Sequence, residues 1–248
     1  MERNLNTFIE TLKVGEVTLV AGAPCSGKTI LACNVAIEYG IRRGKKIALF
    51  FPEMKWEMLE KKLIRIHAGI STEKYHSGKL DWDEVNAFRS ARRQLRESPI
   101  YISDETCITA AYILAQCREL KEEIGGLDLI IIDGLELVGD EDERFLNQLE
   151  RNAKTYSKIK GGASDMGVSV LVTHTIYPYS GTHKEATLPQ ETGPLWMLNV
   201  LAEEGRYPQS ILAAERGEDR GKSIRLFSNL DQGHVWEDQA HTVGHRKD

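Results

Sequence analysis

Apolar residues along this chain alternate between short continuous runs and longer stretches where they recur every three or four positions. Val17-Thr18-Leu19-Val20-Ala21, Ile47-Ala48-Leu49-Phe50-Phe51, Leu129-Ile130-Ile131-Ile132 and Val168-Ser169-Val170-Leu171-Val172-Thr173 are runs of the first kind. Their length and β-branched content predict strands buried on both faces. Ile100-Tyr101-Ile102 is a shorter one. Between them, Met54, Met58, Leu59, Leu63 and Ile66 mark a helix over Glu53–Ala68, and a charged amphipathic helix covers Asp81–Glu97 until Ser98-Pro99 stops it. Ile30–Ile37 and Ile108–Ile124 read as further helices, the second closed by Gly125-Gly126, and a polar, helix-prone stretch leads to Gly167. Strands alternating with helices predict a mostly parallel sheet with helices on both faces.

The last third changes character. Ser210–Glu215, Ser223–Phe227 and Gly233–Trp236 read as short strands separated only by turns, an antiparallel extension of the sheet. Ile176–Thr192, rich in Gly, Pro, Thr and Tyr, predicts a surface loop, and a frayed polar tail starts at Asp238. Leu5, Phe8, Ile9 and Leu12 lie at helical spacing in a polar lead-in. With no internal repeat, the expected organisation is one domain over 16–237, between a lead-in of 1–15 and a tail of 238–248.

Composition narrows the function classes. With 41% hydrophobic and 28% charged residues the chain is of ordinary globular type. No apolar run approaches the roughly 18 to 20 residues that span a bilayer, and the N-terminus lacks a signal peptide's apolar core. A cytoplasmic protein without membrane contact is expected. Cys25, Cys33, Cys107 and Cys117 form no C-x-x-C pair, which argues against a zinc site or a disulfide framework. A net charge of −5 argues against a surface that is basic all over. Nucleic acid would need a local patch, or repeated subunits lining a channel.

The chemistry is concentrated in Gly22-Ala23-Pro24-Cys25-Ser26-Gly27-Lys28-Thr29, which fits the phosphate-loop pattern G-x-x-x-x-G-K-[ST] between a strand and a helix. Glycines there let successive N–H groups turn toward phosphate oxygens at a helix N-terminus. Lys28 is expected on the β- and γ-phosphates of ATP, and Thr29 on the accompanying Mg2+. The run Leu129–Ile132 ends in Asp133, placed to hold the same Mg2+ through water. Hydrolysis also needs a carboxylate beside the attacking water. Glu53 follows the second strand at the edge where α/β sheets bind ligands; Glu136, Asp104 and Glu105 compete with it. His174, at the end of another strand, is a candidate for contact with the γ-phosphate, whereas His67 reads as an ordinary helix residue.

Together these segments resemble the C-terminal ATPase domain of DnaB-type replicative helicases, within the RecA-like superfamily, from about Leu12 to Glu237. Leu12-Lys13-Val14-Gly15-Glu16 resembles the family's lead into the phosphate loop, and Phe50-Phe51-Pro52-Glu53-Met54 its strand ending in Leu-Glu-Met. Ser77-Gly78-Lys79-Leu80, Ser98–Ile102 and Gly126–Asp133 also fit. The resemblance implies a RecA-like P-loop NTPase core and selects Glu53 as the residue that activates water. Val172-Thr173-His174-Thr175 occupies the place of the sensor strand, and Arg216, after Ile211–Glu215, that of an arginine reaching into the next subunit's ATP site.

Departures from the family pattern concern both the γ-phosphate contacts and the parts that face DNA. Ala214 stands where the family has a lysine, His174 where it has glutamine, and Pro194–Val200 is apolar where it is acid-rich. Gly139-Asp140-Glu141-Asp142-Glu143-Arg144 is acidic where DNA-contacting loops are basic, and such a run repels a phosphate backbone. Lys154, Lys158 and Lys160 read as a solvated helix face. No counterpart of the family's N-terminal domain, or of most of its linker helix, is expected. The resemblance implies an ATP-hydrolysing helicase or single-stranded-DNA translocase, a homo-oligomer forming a hexameric ring. A RecA-like ATPase acting as a nucleotide switch without unwinding is the alternative, and a small-molecule kinase the third reading.

Overall fold

The computed structural model describes residues 5–139, 147–176, 192–200, 209–229 and 231–237. The acidic positions 140–144, most of the expected surface loop and the tail from Asp238 lie outside them. Among the described residues one sheet contains β1 (Val17–Gly22), β2 (Ile47–Phe50), β3 (Ile100–Ile102), β4 (Leu129–Ile132), β5 (Ser169–Thr175), β6 (Leu195–Val200), β7 (Gln209–Arg216), β8 (Ser223–Asn229) and β9 (His234–Glu237). Their order is β3-β2-β4-β5-β1-β6-β7-β8-β9. Pairing is parallel from β3 through β6 and antiparallel from β6 to β9. The predicted parallel core with an antiparallel extension is therefore present, with one addition. β6 lies parallel to β1, with Val20 opposite Trp196, and joins the two halves where the sequence reading had only an apolar segment.

Alternate residues of each strand point to opposite faces and build two cores. Val20, Leu49, Ile131 and Leu171 pack on α1 (Asn6–Glu10), α2 (Lys28–Ala36), α3 (Trp56–Ala68) and α5 (Trp82–Glu97). Leu19, Ile130, Ile132 and Val172 pack on α6 (Ala110–Glu123) and α7 (Gln148–Met166). A short helix, α4 (Thr72–Ser77), lies between α3 and α5. The helices stop and start on local chemistry. Asp81 and Glu84 form a capping box on α5, Thr109 accepts from the Tyr112 amide to start α6, and Gly69 closes α3 in the left-handed conformation. α3 begins at Trp56 rather than Glu53, because the Met54 amide bonds the Phe51 carbonyl in a turn that leaves Glu53 outside the helix.

The lead-in helix α1 packs into the first core through Phe8, whose ring meets Trp196 edge-on at 5.8 Å. The buried Glu237 carboxylate, at the end of β9, accepts from the Thr7 and Phe8 amides. The amphipathic surface keeps to the expected pattern: Lys154, Lys158 and Lys160 lie exposed on α7. All four cysteines are free, and burial pushes the Cys33 and Cys117 thiols up to about 12. Among the described residues no helix is long and apolar enough to cross a membrane.

Candidate active site

β1, β2, β4 and β5 run parallel, so their C-terminal ends share one sheet edge, and the segments that follow them line a cleft of about 530 Å³. Pro24, Cys25, Gly27, Lys28 and Thr29 form one wall. Gly22 ends β1 where any side chain would collide: a Cβ there would sit 2.7 Å from Ser26 Oγ and 2.8 Å from the Leu198 carbonyl oxygen. Gly27 takes φ 93° immediately before α2, a conformation glycine adopts without strain. Cys25 is the non-glycine exception, exposed and held at φ 59° in the middle of the loop.

The Lys28 ammonium turns back onto the loop, donating to the Gly22 carbonyl at 3.1 Å, the Ala23 carbonyl at 2.7 Å and Ser26 Oγ at 3.4 Å. Burial pushes its pKa below the ordinary value, and the carboxylates of Glu136, Asp133 and Glu53 only partly offset this. One residue on, the Thr29 hydroxyl donates to Asp133 Oδ2 at 2.7 Å. The Thr173 hydroxyl donates to Asp133 Oδ1, also at 2.7 Å. Burial raises the Asp133 pKa, against the two hydroxyl bonds and the positive charges of Lys62 and Lys28. The Thr29 hydroxyl and the Asp133 carboxylate are hard oxygen donors that fit a Mg2+ ion completed by phosphate oxygens and water. Among the described residues no group of three or more His, Cys, Asp or Glu could hold a metal by itself.

The candidate bases separate clearly. Glu53 lines the cleft, is exposed, and takes part in no hydrogen bond or ion pair among the described residues. Glu136 also lines the cleft, but both its oxygens are engaged, Oε2 by His174 Nδ1 at 2.8 Å and Oε1 by the Thr175 amide at 3.1 Å. Burial raises its pKa, yet the hydrogen bond and charge of His174 overcome that and leave it lowered. Asp104 and Glu105 are exposed outside the cleft lining, and Glu105 Oε1 caps the Thr106 and Cys107 amides. His174 is only 1% exposed, on the opposite face of β5 from Thr173 and Thr175, so Glu136 stands between it and the cleft.

Lys62 was not singled out from the sequence. It is half-buried on α3, lines the same cleft as Lys28 and Asp133, and has no hydrogen bond or ion pair among the described residues. The phase of α3 could have found it, because Leu59, Leu63 and Ile66 fix the buried face that Lys62 flanks.

Arg216 lies elsewhere. It ends β7 opposite Leu195, the first residue of β6, and its guanidinium donates to Thr192 at 2.7 Å. The neighbouring Gly193 approaches the Val17 carbonyl, so this is the N-terminal edge of β1. The phosphate loop begins at the other end of that strand, five residues or about 17 Å away. Arg216 does not join the cleft of its own chain. Ala214 is buried in β7 against Trp196.

Residues 2–177 match the family model described as DnaB-like helicase C terminal domain. The chain is 28% identical over 156 residues to the replicative DNA helicase DnaB of Geobacillus stearothermophilus, covering 63% of this chain and 34% of that protein. It is 26% identical over 235 residues to the DnaB of Synechocystis sp., covering 94% of this chain and 26% of that one. It superposes with a TM-score of 0.80 on a structure of a DnaB-like replicative helicase and its interactions with primase, at 18% identity, covering 91% of this chain and 58% of that chain. The ATPase domain of G40P gives the same TM-score and identity, covering 92% and 86%. At that identity the likeness establishes the RecA-like fold. The chain spans about a third of the length of the first curated relatives it matches. With the family model matched over more than half of its residues, β1 to β5 and the Gly22–Thr29 loop among them, this chain belongs to the DnaB-like helicase C-terminal domain family.

Proposed function

We propose that the chain hydrolyses ATP and works as a DnaB-like helicase or single-stranded-DNA translocase domain, in a ring of identical subunits. The observation that carries this reading is the cleft shared by Lys28, Thr29, Asp133 and Glu53. Lys28 exchanges the loop carbonyls for β- and γ-phosphate oxygens and so neutralises charge that grows during phosphoryl transfer. Thr29 and Asp133 would hold Mg2+, which would supply further neutralisation of phosphate charge. Glu53 is the base: its carboxylate is uncommitted and exposed to water, so it can orient the attacking molecule and draw off its proton. Glu136 keeps its charge and spends both oxygens on His174 and Thr175, which favours a positioning role. Through that bond His174 senses the phosphate end of the cleft indirectly.

The position of Arg216 at the far end of β1 supports a role in trans, on a neighbouring subunit's ATP. Mixing Arg216→Ala chains with Lys28→Ala chains tests this. Each mixed interface that pairs a sound phosphate loop with a sound arginine should restore part of the turnover both variants lack. Absence of any recovery would overturn the role of Arg216 in trans.

ATP hydrolysis with and without single-stranded DNA over a salt series tests the function itself. Translocation requires stimulation that fades as salt rises. Lys28→Ala should lose turnover, and Glu53→Gln should lose turnover while still binding ATP. Retained hydrolysis in Glu53→Gln would transfer the base to Glu136. The net charge of −5 and the acidic residues 140–143 favour a second reading, a nucleotide-driven switch that does not unwind DNA. Hydrolysis indifferent to DNA at every salt concentration would establish that reading over the first.

A further inference from the structure

We infer that the outward stripe of α5 is a nucleic-acid contact separate from the ATP cleft, in which Arg89, Arg92, Arg93 and Arg96 hold phosphodiester groups and Trp82 stacks on a base. None of these residues lines the ATP cleft. At 3.6 residues per turn the five fall within a sector of about 100°. Ala91 and Leu95 on another side of the same helix are buried in the core. All four arginines are exposed, and Trp82 is 71% exposed.

A solvated helix face explains this stripe poorly. Such faces intersperse acids with bases at i,i+4 spacing, but no acid occurs between Val85 and Arg96, and only Glu97 stands at that spacing, four residues after Arg93 and with no ion pair to it among the described residues. The acids of α5 are at its ends, and Glu84 is already committed to the Asp81 amide and to Lys74. None of the four arginines takes part in an ion pair among the described residues. Arg89/Arg92, Arg89/Arg93, Arg92/Arg96 and Arg93/Arg96 are instead like-charged neighbours at three or four residues' spacing, an arrangement that weakens a helix. Only Arg96 lies in the last turn, where the helix dipole favours a cation.

The local conflict identifies a ligand of opposite charge. Every cation of the helix is arginine, the side chain whose planar fork matches phosphate. The stripe concentrates positive charge in a chain whose net charge is −5. An exposed indole in line with the guanidinium groups adds a stacking platform, which an acidic protein segment would not use and a single strand would. The choice of a DNA strand as ligand rests on the translocase reading above.

Anisotropy of a fluorescein-labelled oligo(dT) with the full chain, over a salt series, tests the inference. Combined Arg89→Gln, Arg92→Gln, Arg93→Gln and Arg96→Gln should weaken binding at low salt at least tenfold. The slope of log K against log salt should become shallower by about 0.7 per lost phosphate contact, about 2 to 3 in all. The single variant Arg93→Gln, a minimal change to an exposed residue, should lower the slope by about 0.7. Trp82→Ala should cost about tenfold in affinity with the slope unchanged, since stacking releases no counterions. A thermal midpoint within a few degrees of wild type verifies the fold of each variant. If the wild type binds DNA and is stimulated by it, but the arginine variants keep its affinity and slope, the stripe is not a contact and the translocase reading survives. A wild type that neither binds nor responds to DNA overturns both. Loss of poly-glutamate binding in the arginine variants, with oligo(dT) binding retained, would overturn the nucleic-acid assignment in favour of an acidic protein partner.

Discussion

Replacing Asp133 by asparagine is expected to stabilise the protein while abolishing ATP turnover. The Asp133 carboxyl is buried at the end of β4, with one threonine hydroxyl on each oxygen at 2.7 Å. Burial raises its pKa above the ordinary 3.8, and neither the hydroxyls nor the charges of Lys62 and Lys28 reverse that. The ionised form is therefore accommodated less well by the fold than by the unfolded chain. Between pH 3.8 and the raised native value, the folded chain keeps a proton that the unfolded chain has released. Stability falls as pH rises through that window and stays lower above it. Asparagine imitates the neutral acid and keeps an acceptor for one hydroxyl and a donor for the other. Relief of a strained functional group commonly returns about 0.5–2 kcal/mol, and each kcal/mol moves the midpoint of a domain this size by about 2–4 °C. Thermal unfolding without nucleotide should show Asp133→Asn melting a few degrees higher near neutral pH. The gap should narrow as pH approaches 3.8. A lower midpoint for the variant at neutral pH would mean that the ionic contacts outweigh burial, and the reasoning would fail.

Three further substitutions probe the cleft and its support. Lys62→Gln should lower kcat/KM for ATP about a hundredfold by removing one positive charge from the phosphate site, with little change in melting temperature; unaltered kinetics would make Lys62 a bystander. Gly22→Ala should weaken ATP binding in calorimetry and destabilise by about 1–3 kcal/mol, since the Leu198 carbonyl oxygen that a Cβ would meet at 2.8 Å belongs to a paired strand. Trp196→Ala empties a site that is 1% exposed and loses the edge-on contact with Phe8. It should cost about 3–5 kcal/mol, or roughly 6–20 °C in the thermal midpoint, and a loss below about 1 kcal/mol would mean that β6 and α1 do not share one core.

The parts of the fold legible in the sequence are those whose signals are local. β2 and β4 are buried on both faces and read as unbroken apolar runs, and β1 and β5 as buried, mostly apolar ones. α5 and α6 carry their caps beside them in Asp81, Glu84 and Thr109. β6 was illegible because its partner in the parallel sheet, β1, is about 175 residues earlier in the chain, so no turn or spacing near Leu195–Val200 announces the pairing. The same remoteness hid the docking of α1, whose Thr7 and Phe8 amides find their acceptor in Glu237 at the far end of the chain.

The site divides along the same line. A phosphate loop must be contiguous, because successive amides of one turn bind one phosphate group, and Gly22–Thr29 could be read from the residues alone. An acid at the end of a buried strand is nearly as local, and Asp133 followed from it. Spacing left Glu53 and Glu136 as competitors, and only the family resemblance selected Glu53. What each carboxylate touches, such as the bonds from His174 and Thr175 to Glu136, is not contained in sequence spacing. Arg216 is the least local of these residues. Its identity and strand position were readable, but only the register of β7 against β6, and β6 against β1, puts it at the edge away from its own phosphate loop. An arginine so placed can meet an ATP phosphate only if a second copy brings its loop to that edge. The chemistry proposed for one cleft therefore implies a particular packing of two chains, and turnover in mixed subunits reads that packing directly.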